Sequence, residues 1–167
     1  MIGSTAGLGK AGIVALIAIA VDQVSKAIVR GEVQPGESVN LFAGIDIVHV
    51  SNEGIAFGML DDAGVLVLVI AAVAFAVLLG LFLVSAERPG LWLPIGLLAG
   101  GAVGNLIDRI REGAVTDFID LPNWPAFNFA DIEITVGVLV LVGIYLFGEE
   151  PEQPAAEPEV GRQTTEG

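Results

Sequence analysis

Four apolar stretches divide the chain. The first runs over 11–21 and continues, interrupted, to Val29. The second covers 63–84 and carries no charge, the third covers 91–107, and the fourth gathers over 134–148 with the residues just before it. A helix that crosses a bilayer needs about 20 mostly apolar residues. The pattern therefore predicts four spanning helices, over about 11–29, 63–84, 91–108 and 131–148. In the first, Asp22, Gln23, Ser25 and Lys26 intrude before Val29. Lys10 and the apolar run behind it also fit a signal peptide, but Asp22-Gln23 stands where a small-residue cleavage site would be, so the segment is read as a retained helix.

The region 31–60 has a different rhythm. VNLFAGIDIVHVSNEGIAFG alternates in part and is rich in Val, Ile and Phe. It reads as two or three short strands, with turns at Gly44 and at Asn52-Glu53-Gly54. The segment VTDFID and the Pro-rich stretch after it read as a loop that leads into the fourth span.

Polar positions fall on one side. Following the chain back and forth, Asp22 and Lys26 lie at the far end of the first span, and Asn52 lies in the connection on that face. Asn105, Asp108 and Arg109 end the third span there, Asp117 follows, and Asn128 and Asp131 begin the fourth. The opposite face has only Ser85, Glu87 and Arg88 in its connection. Charged groups near hydrocarbon are costly and mark functional sites. Helix ends carry polar residues in any case, but that does not account for the one-sidedness.

Composition narrows the chemistry. Of 167 residues, 54% are hydrophobic, above the ~45–50% of soluble domains. The net charge is −13, but much of it sits in the tail 149–167, where Pro, Glu, Gln and Thr dominate and disorder is expected. Seven Lys and Arg residues form no nucleic-acid patch. Cysteine is absent and His49 is the one histidine, so thiolate chemistry and a histidine-rich metal site are excluded, and neither metal nor cofactor is expected. With termini on the side of Lys10, Arg88 and Arg162, the other side holds Lys26, Arg30, Arg109 and Arg111. That balance assigns no orientation.

Local spacing offers structural and chemical readings side by side. Gly96, Gly100 and Gly104, four apart, let helix backbones approach closely in lipid. Asp22 and Lys26, also four apart, form a favoured helical pair. Asn105 shares a face with Asp108 and Arg109, which is equally the pattern of a helix-end ion pair. Asn128 and Asp131 resemble a capping box, which would start the fourth helix and place an ionised Asp131 at its N-terminus. Phe118 and Ile119 suggest that Asp117 is partly buried. A serine triad would depend on His49, and Ser25 and Lys26, as helix neighbours, diverge. Aspartates are what remain, and two carboxyls sharing a proton can activate water and protonate a leaving amine. An ion or proton pathway in a small transporter is the alternative reading of intramembrane carboxylates, and a membrane scaffold using the glycine face is a third.

DQVSK (22–26), NEGIAF (52–57), GGAVGNLIDRIREGAVTDFID (100–120) and FNFADIEITVG (127–137) together resemble the signature blocks of the bacterial lipoprotein signal peptidases, the type II signal peptidases. The resemblance spans roughly residues 8–148. It implies an all-α integral membrane fold of four transmembrane helices, with a small extracytoplasmic β-sheet region between helices 1 and 2, as one peptidase domain over 1–148. It implies an inner-membrane aspartic endopeptidase, a target of globomycin, with cytoplasmic termini and a site towards the outer face. Its substrates would be diacylglyceryl-modified prolipoproteins, cut before the lipidated cysteine; membrane lipids would be its other partners, and a monomer is expected. On matching positions the catalytic pair is Asp117 and Asp131. Asn105, Asp108, Arg109 and Asn128 become supporting residues, Asn52 and Gly54 mark a loop that helps hold substrate, and Asp22 and Lys26 support the site from the first span. Glu133 lies two residues after Asp131, roughly 200° around a helix, and should point away from it.

Overall fold

The computed structural model describes residues 5–42, 44–53, 80 and 90–148. Three helices are long and apolar enough to cross a membrane: α1 (Thr5–Glu32), α2 (Trp92–Glu112) and α3 (Phe129–Phe147). The expected span over 63–84, Gly54 and the tail lie outside the described residues, save Gly80, so the described helices number three against the four expected.

The helices form because their apolar residues wrap all round, and they stay together because each also carries a narrow stripe that packs. On α1 the buried positions are Ala11, Ala18, Asp22, Lys26 and Val29, while Ile13, Leu16, Ile17 and Ile28 are exposed. On α3, Leu139, Leu146 and Phe147 are exposed likewise. Such apolar outer faces suit lipid. The middle helix, α2, packs on both others. A β-carbon at Gly96 would meet Val14 Cβ at 2.6 Å, and one at Gly104 would meet Asp22 Oδ2 at 2.5 Å; at Gly101 it would meet Ala130 O, on α3, at 2.5 Å. The glycine spacing thus serves helix contact, as small residues do in membranes.

At the polar end stands a four-stranded antiparallel sheet in the order β1 (Ser38–Phe42), β2 (Ile45–Asn52), β3 (Val115–Leu121), β4 (Trp124–Phe127). This corrects two expectations. The sheet is not confined to the connection after α1: the segment between α2 and α3 supplies half of it. VTDFID is therefore a strand, not a loop, because β2 offers it an open edge, a long-range pairing that no local pattern announces. Gly44 turns β1 into β2 at φ 88°, and Gly113 ends α2 at φ 79°, a left-handed conformation that favours glycine. Between β3 and β4, Asn123 has φ 62° after Pro122, the residue pattern of a type II turn.

A small apolar cluster joins sheet and helices. Val29, Val33 and Phe118 are buried together, with Ile47, Ile119 and Phe129 against them. Phe118 and Phe129 meet edge to face, centroids 5.5 Å apart. These residues neighbour Asp117 and Asn128 in sequence, so the cluster anchors both chain segments that carry the polar site.

Candidate active site

Asp117 and Asp131 reach the same place from different elements, one from the middle of β3 and one from the first turn of α3. Asn128 connects them. Its Nδ2 donates to Asp117 Oδ1 at 2.6 Å, and its Oδ1 accepts the Asp131 backbone N–H at 3.1 Å. In return Asp131 Oδ2 accepts the Asn128 backbone N–H at 3.1 Å, completing the capping box expected from the sequence. A backbone N–H can only donate, so the Asn128 amide has one possible orientation, with its NH₂ towards Asp117. Asn128 is fully buried.

Asn105 is oriented by the same logic. Lys26 Nζ, donor only, gives to Asn105 Oδ1 at 2.8 Å, which turns Asn105 Nδ2 to Asp131 Oδ1 at 3.0 Å. Both Asp131 oxygens thus accept hydrogen bonds from donors that cannot reverse, at the positive end of a helix, which suits an ionised carboxylate.

Asp117 is 3% exposed. Burial pushes its carboxyl above the ordinary aspartate value and the charge on Asp131 adds to this, against the opposing hydrogen bonds from Asn52 and Asn128. Asn52 Nδ2 donates to Asp117 Oδ2 at 2.8 Å. That contact depends on a bulge in β2. Ile47 pairs with Ile119, but Val50 pairs with Asp117 and Asn52 with Val115, so β2 spends one residue more than β3 over this stretch. Without the extra residue, Asn52 would face the other side of the sheet. His49 lies in the bulge and bonds Val33 O through Nδ1 at 2.9 Å, a structural contact just beyond α1.

Beneath the pair lies a buried ionic cluster. Lys26 Nζ is 2.9 Å from Asp22 Oδ2 and 3.1 Å from Asp108 Oδ2; with Asn105 this occupies all three of its protons. Asp22 Oδ1 accepts the Ala130 backbone N–H at 3.0 Å, so a residue of α1 caps α3. Asp108 accepts from the Thr116 backbone N–H at 3.1 Å and from Gln23 Nε2 at 3.0 Å, so it holds α2, α1 and β3 together. Burying these charges is tolerable only because every one is paired and hydrogen-bonded.

The remaining sequence candidates fall elsewhere. Arg109 bonds neither carboxyl among the described residues; its Nη1 donates to Asn105 O at 3.4 Å. Glu133 has Asp22 and Lys26 as charged neighbours. Gln23, Arg30 and Thr116 also join this cluster, and the sequence marks them only faintly: Gln23 adjoins Asp22, and Arg30 repeats the four-residue step from Lys26. No cluster of metal-ligating side chains occurs among the described residues.

Comparison with known proteins follows the same lines. The profile of the signal peptidase (SPase) II family matches residues 14–147. A lipoprotein signal peptidase of Moorella thermoacetica is 41% identical over 146 residues, covering 85% of this chain and 97% of that protein. One from Halothermothrix orenii is 38% identical, over 83% of this chain and 95% of that protein. A solved bacterial membrane enzyme superposes with a TM-score of 0.77 at 30% identity, over 86% of this chain and 96% of that one. The chain belongs to the signal peptidase II family.

Proposed function

We propose that this protein is an aspartic endopeptidase that removes the signal peptide from diacylglyceryl-modified prolipoproteins, cleaving before the lipidated cysteine, with Asp117 and Asp131 as its catalytic pair. The observation that carries this reading is the single asparagine, Asn128, that holds both carboxyls, donating to one and capping the helix of the other. Relatives named lipoprotein signal peptidase support the substrate class.

The reaction follows from the two environments. Asp131, in the first turn of α3 and accepting a backbone N–H there, is the ionised member. Asp117, whose proton is favoured by burial and by the Asp131 charge, is the protonated one. A water between them attacks the scissile carbonyl carbon and gives a proton to Asp131, while Asp117 donates its proton to the carbonyl oxygen. When the tetrahedral intermediate collapses, Asp131 returns its proton to the departing amine and the intermediate's hydroxyl re-protonates Asp117. The products are the signal peptide carboxyl and the free amino group of the lipidated cysteine.

In the membrane, four spans, one of them over about 63–84, put both termini on the same side; the resemblance to the lipoprotein signal peptidases makes that side the cytoplasm and puts the pair at the outer face of the inner membrane, where the substrate's acyl chains reside. The protein works as a monomer, and Asn52, the last residue of β2, helps hold substrate beside Asp117. The transporter reading is disfavoured because the polar groups cluster at one end of the described helices, whereas conduction requires them through the depth.

The test is cleavage by the purified full chain. A diacylglyceryl-modified precursor should be cut before its modified cysteine, with globomycin blocking the reaction and the unmodified precursor left intact. Equal cutting of both precursors would overturn the substrate assignment.

A further inference from the structure

Arg30 has no part in the chemistry above, yet it reaches the strand that carries Asp117. Its Nη1 donates to Thr116 Oγ1 at 2.9 Å and stands 3.6 Å from Asp108 Oδ1. Asp108 Oδ2 meanwhile accepts the Thr116 backbone N–H at 3.1 Å. Thr116 is thus held twice, by main chain and by side chain, one residue before Asp117. It is 4% exposed, whereas the Arg30 side chain keeps 25% of its surface exposed.

We propose that Arg30 is a positioning residue for Asp117, acting through the Thr116 hydroxyl and Asp108. The inference rests on the assignment of Asp117 as catalytic. Neighbouring strand residues project to opposite faces, so Thr116 turns towards Arg30 while Asp117 turns towards Asn52 and Asn128. Arg30 therefore acts on Asp117 through the backbone. Phe118, in the apolar cluster on the other side of Asp117, restrains the strand beyond it. Two fixed neighbours leave the carboxyl little freedom to swing away from Asn128.

Charge gives Arg30 a second effect on the same clamp. Asp22 and Asp108 share one ammonium, that of Lys26. Arg30 supplies the second cation and balances the cluster. Lys26 alone keeps Asp108 paired, so losing Arg30 loosens the clamp on Thr116 without stripping Asp108 of its nearest cation. The planar guanidinium suits this post, because it can address a hydroxyl and a carboxylate together, which a single ammonium does less well.

The experiment uses the full chain in detergent micelles, a diacylglyceryl-modified precursor as substrate, and kcat and KM read separately. Arg30→Met and Thr116→Val should each lower kcat by about tenfold, the scale of a sub-ångström misplacement, with KM changed less than about twofold. Thr116→Ser, which keeps the hydroxyl, should retain near wild-type kcat, and the Arg30→Met, Thr116→Val double variant should be no slower than either single one. Arg111→Met, at an exposed position outside the site, serves as the charge-loss control. Unchanged kcat in both single variants, fully additive losses, or equal loss in Thr116→Ser and Thr116→Val would each overturn the proposal. If Arg30→Met fails to insert, the Ser and Val comparison at 116 decides alone. Asp117→Asn runs alongside: if it cleaves normally, the catalytic assignment itself has failed, whatever the Arg30 variants do.

Discussion

The Asn128 side chain caps α3 through Oδ1 and holds Asp117 through Nδ2, and substitution can separate the two. Serine is as good a cap as asparagine but brings no amide donor to Asp117. Asn128→Ser should keep α3 capped, cost no more than the ~1–3 kcal/mol of one unsatisfied buried acceptor, and slow cleavage by about 10²-fold, the cost of losing one oriented donor at a reacting group. An unslowed enzyme would show that the amide does not serve the reaction. Asn52 makes a prediction in pH. Its amide favours the ionised form of Asp117 and so opposes the upward push of burial. Asn52→Ala removes that opposition, Asp117 holds its proton to higher pH, and the alkaline limb of the kcat/KM profile should move up; a downward shift would reverse the assigned roles. The same sign governs stability. A buried carboxyl with a raised value contributes fully below the ordinary aspartate range, and that contribution is lost as pH rises through its own value.

Among the elements, α2 depends most on what it lacks. At Gly104 a β-carbon would fall 2.5 Å from Asp22 Oδ2, pressing on the carboxylate that pairs with Lys26 and caps α3. Gly104→Ala should destabilise by about 1–3 kcal/mol through overpacking. Gly12→Ala, with open space around it, should be neutral or stabilising by up to about 1 kcal/mol from helix propensity. Thermal unfolding of the two variants in detergent checks the contrast, and equal effects would contradict it. The glycine spacing, the Asp22–Lys26 pair and the Asn128 cap could all be read from the sequence, because each is a local rule of helix geometry. The strand character of β3 could not. Its hydrogen bonds go to β2, more than sixty residues back by register, and VTDFID alone is as consistent with a loop. The bulge around His49 was equally hidden, since a bulge shows only once two strands are aligned, and it decides whether Asn52 meets Asp117. The contact between Arg30 and Thr116 is hidden for the same reason, since it forms only once β3 lies beside α1.

At the scale of the whole molecule, the polar end is a connected network: Lys26 to Asn105 to Asp131, Asp22 to the start of α3, and Asp108 to the start of β3. Each of the three described helices contributes, so the site forms only when the bundle has assembled. Lys26 carries the largest share, being fully buried between two carboxylates. Lys26→Met should destabilise the protein by about 3–5 kcal/mol, the cost of leaving a buried charge without its partner, seen as a lower unfolding midpoint and a poor yield of inserted protein; a stable, active variant would contradict this account of the cluster. Spanning runs and one-sided polarity were legible at this scale because lipid imposes long apolar segments. Orientation was not, because the basic residues are balanced across the two faces.

The central claim is that Asp117 and Asp131 perform the cleavage as a pair. Its most direct test is single-turnover cleavage of a diacylglyceryl-modified precursor by the wild-type protein, Asp117→Asn and Asp131→Asn, each shown to insert and to elute as the wild type does. Both variants should bind the precursor and leave it uncut. Cleavage at a wild-type rate by either one would contradict the account.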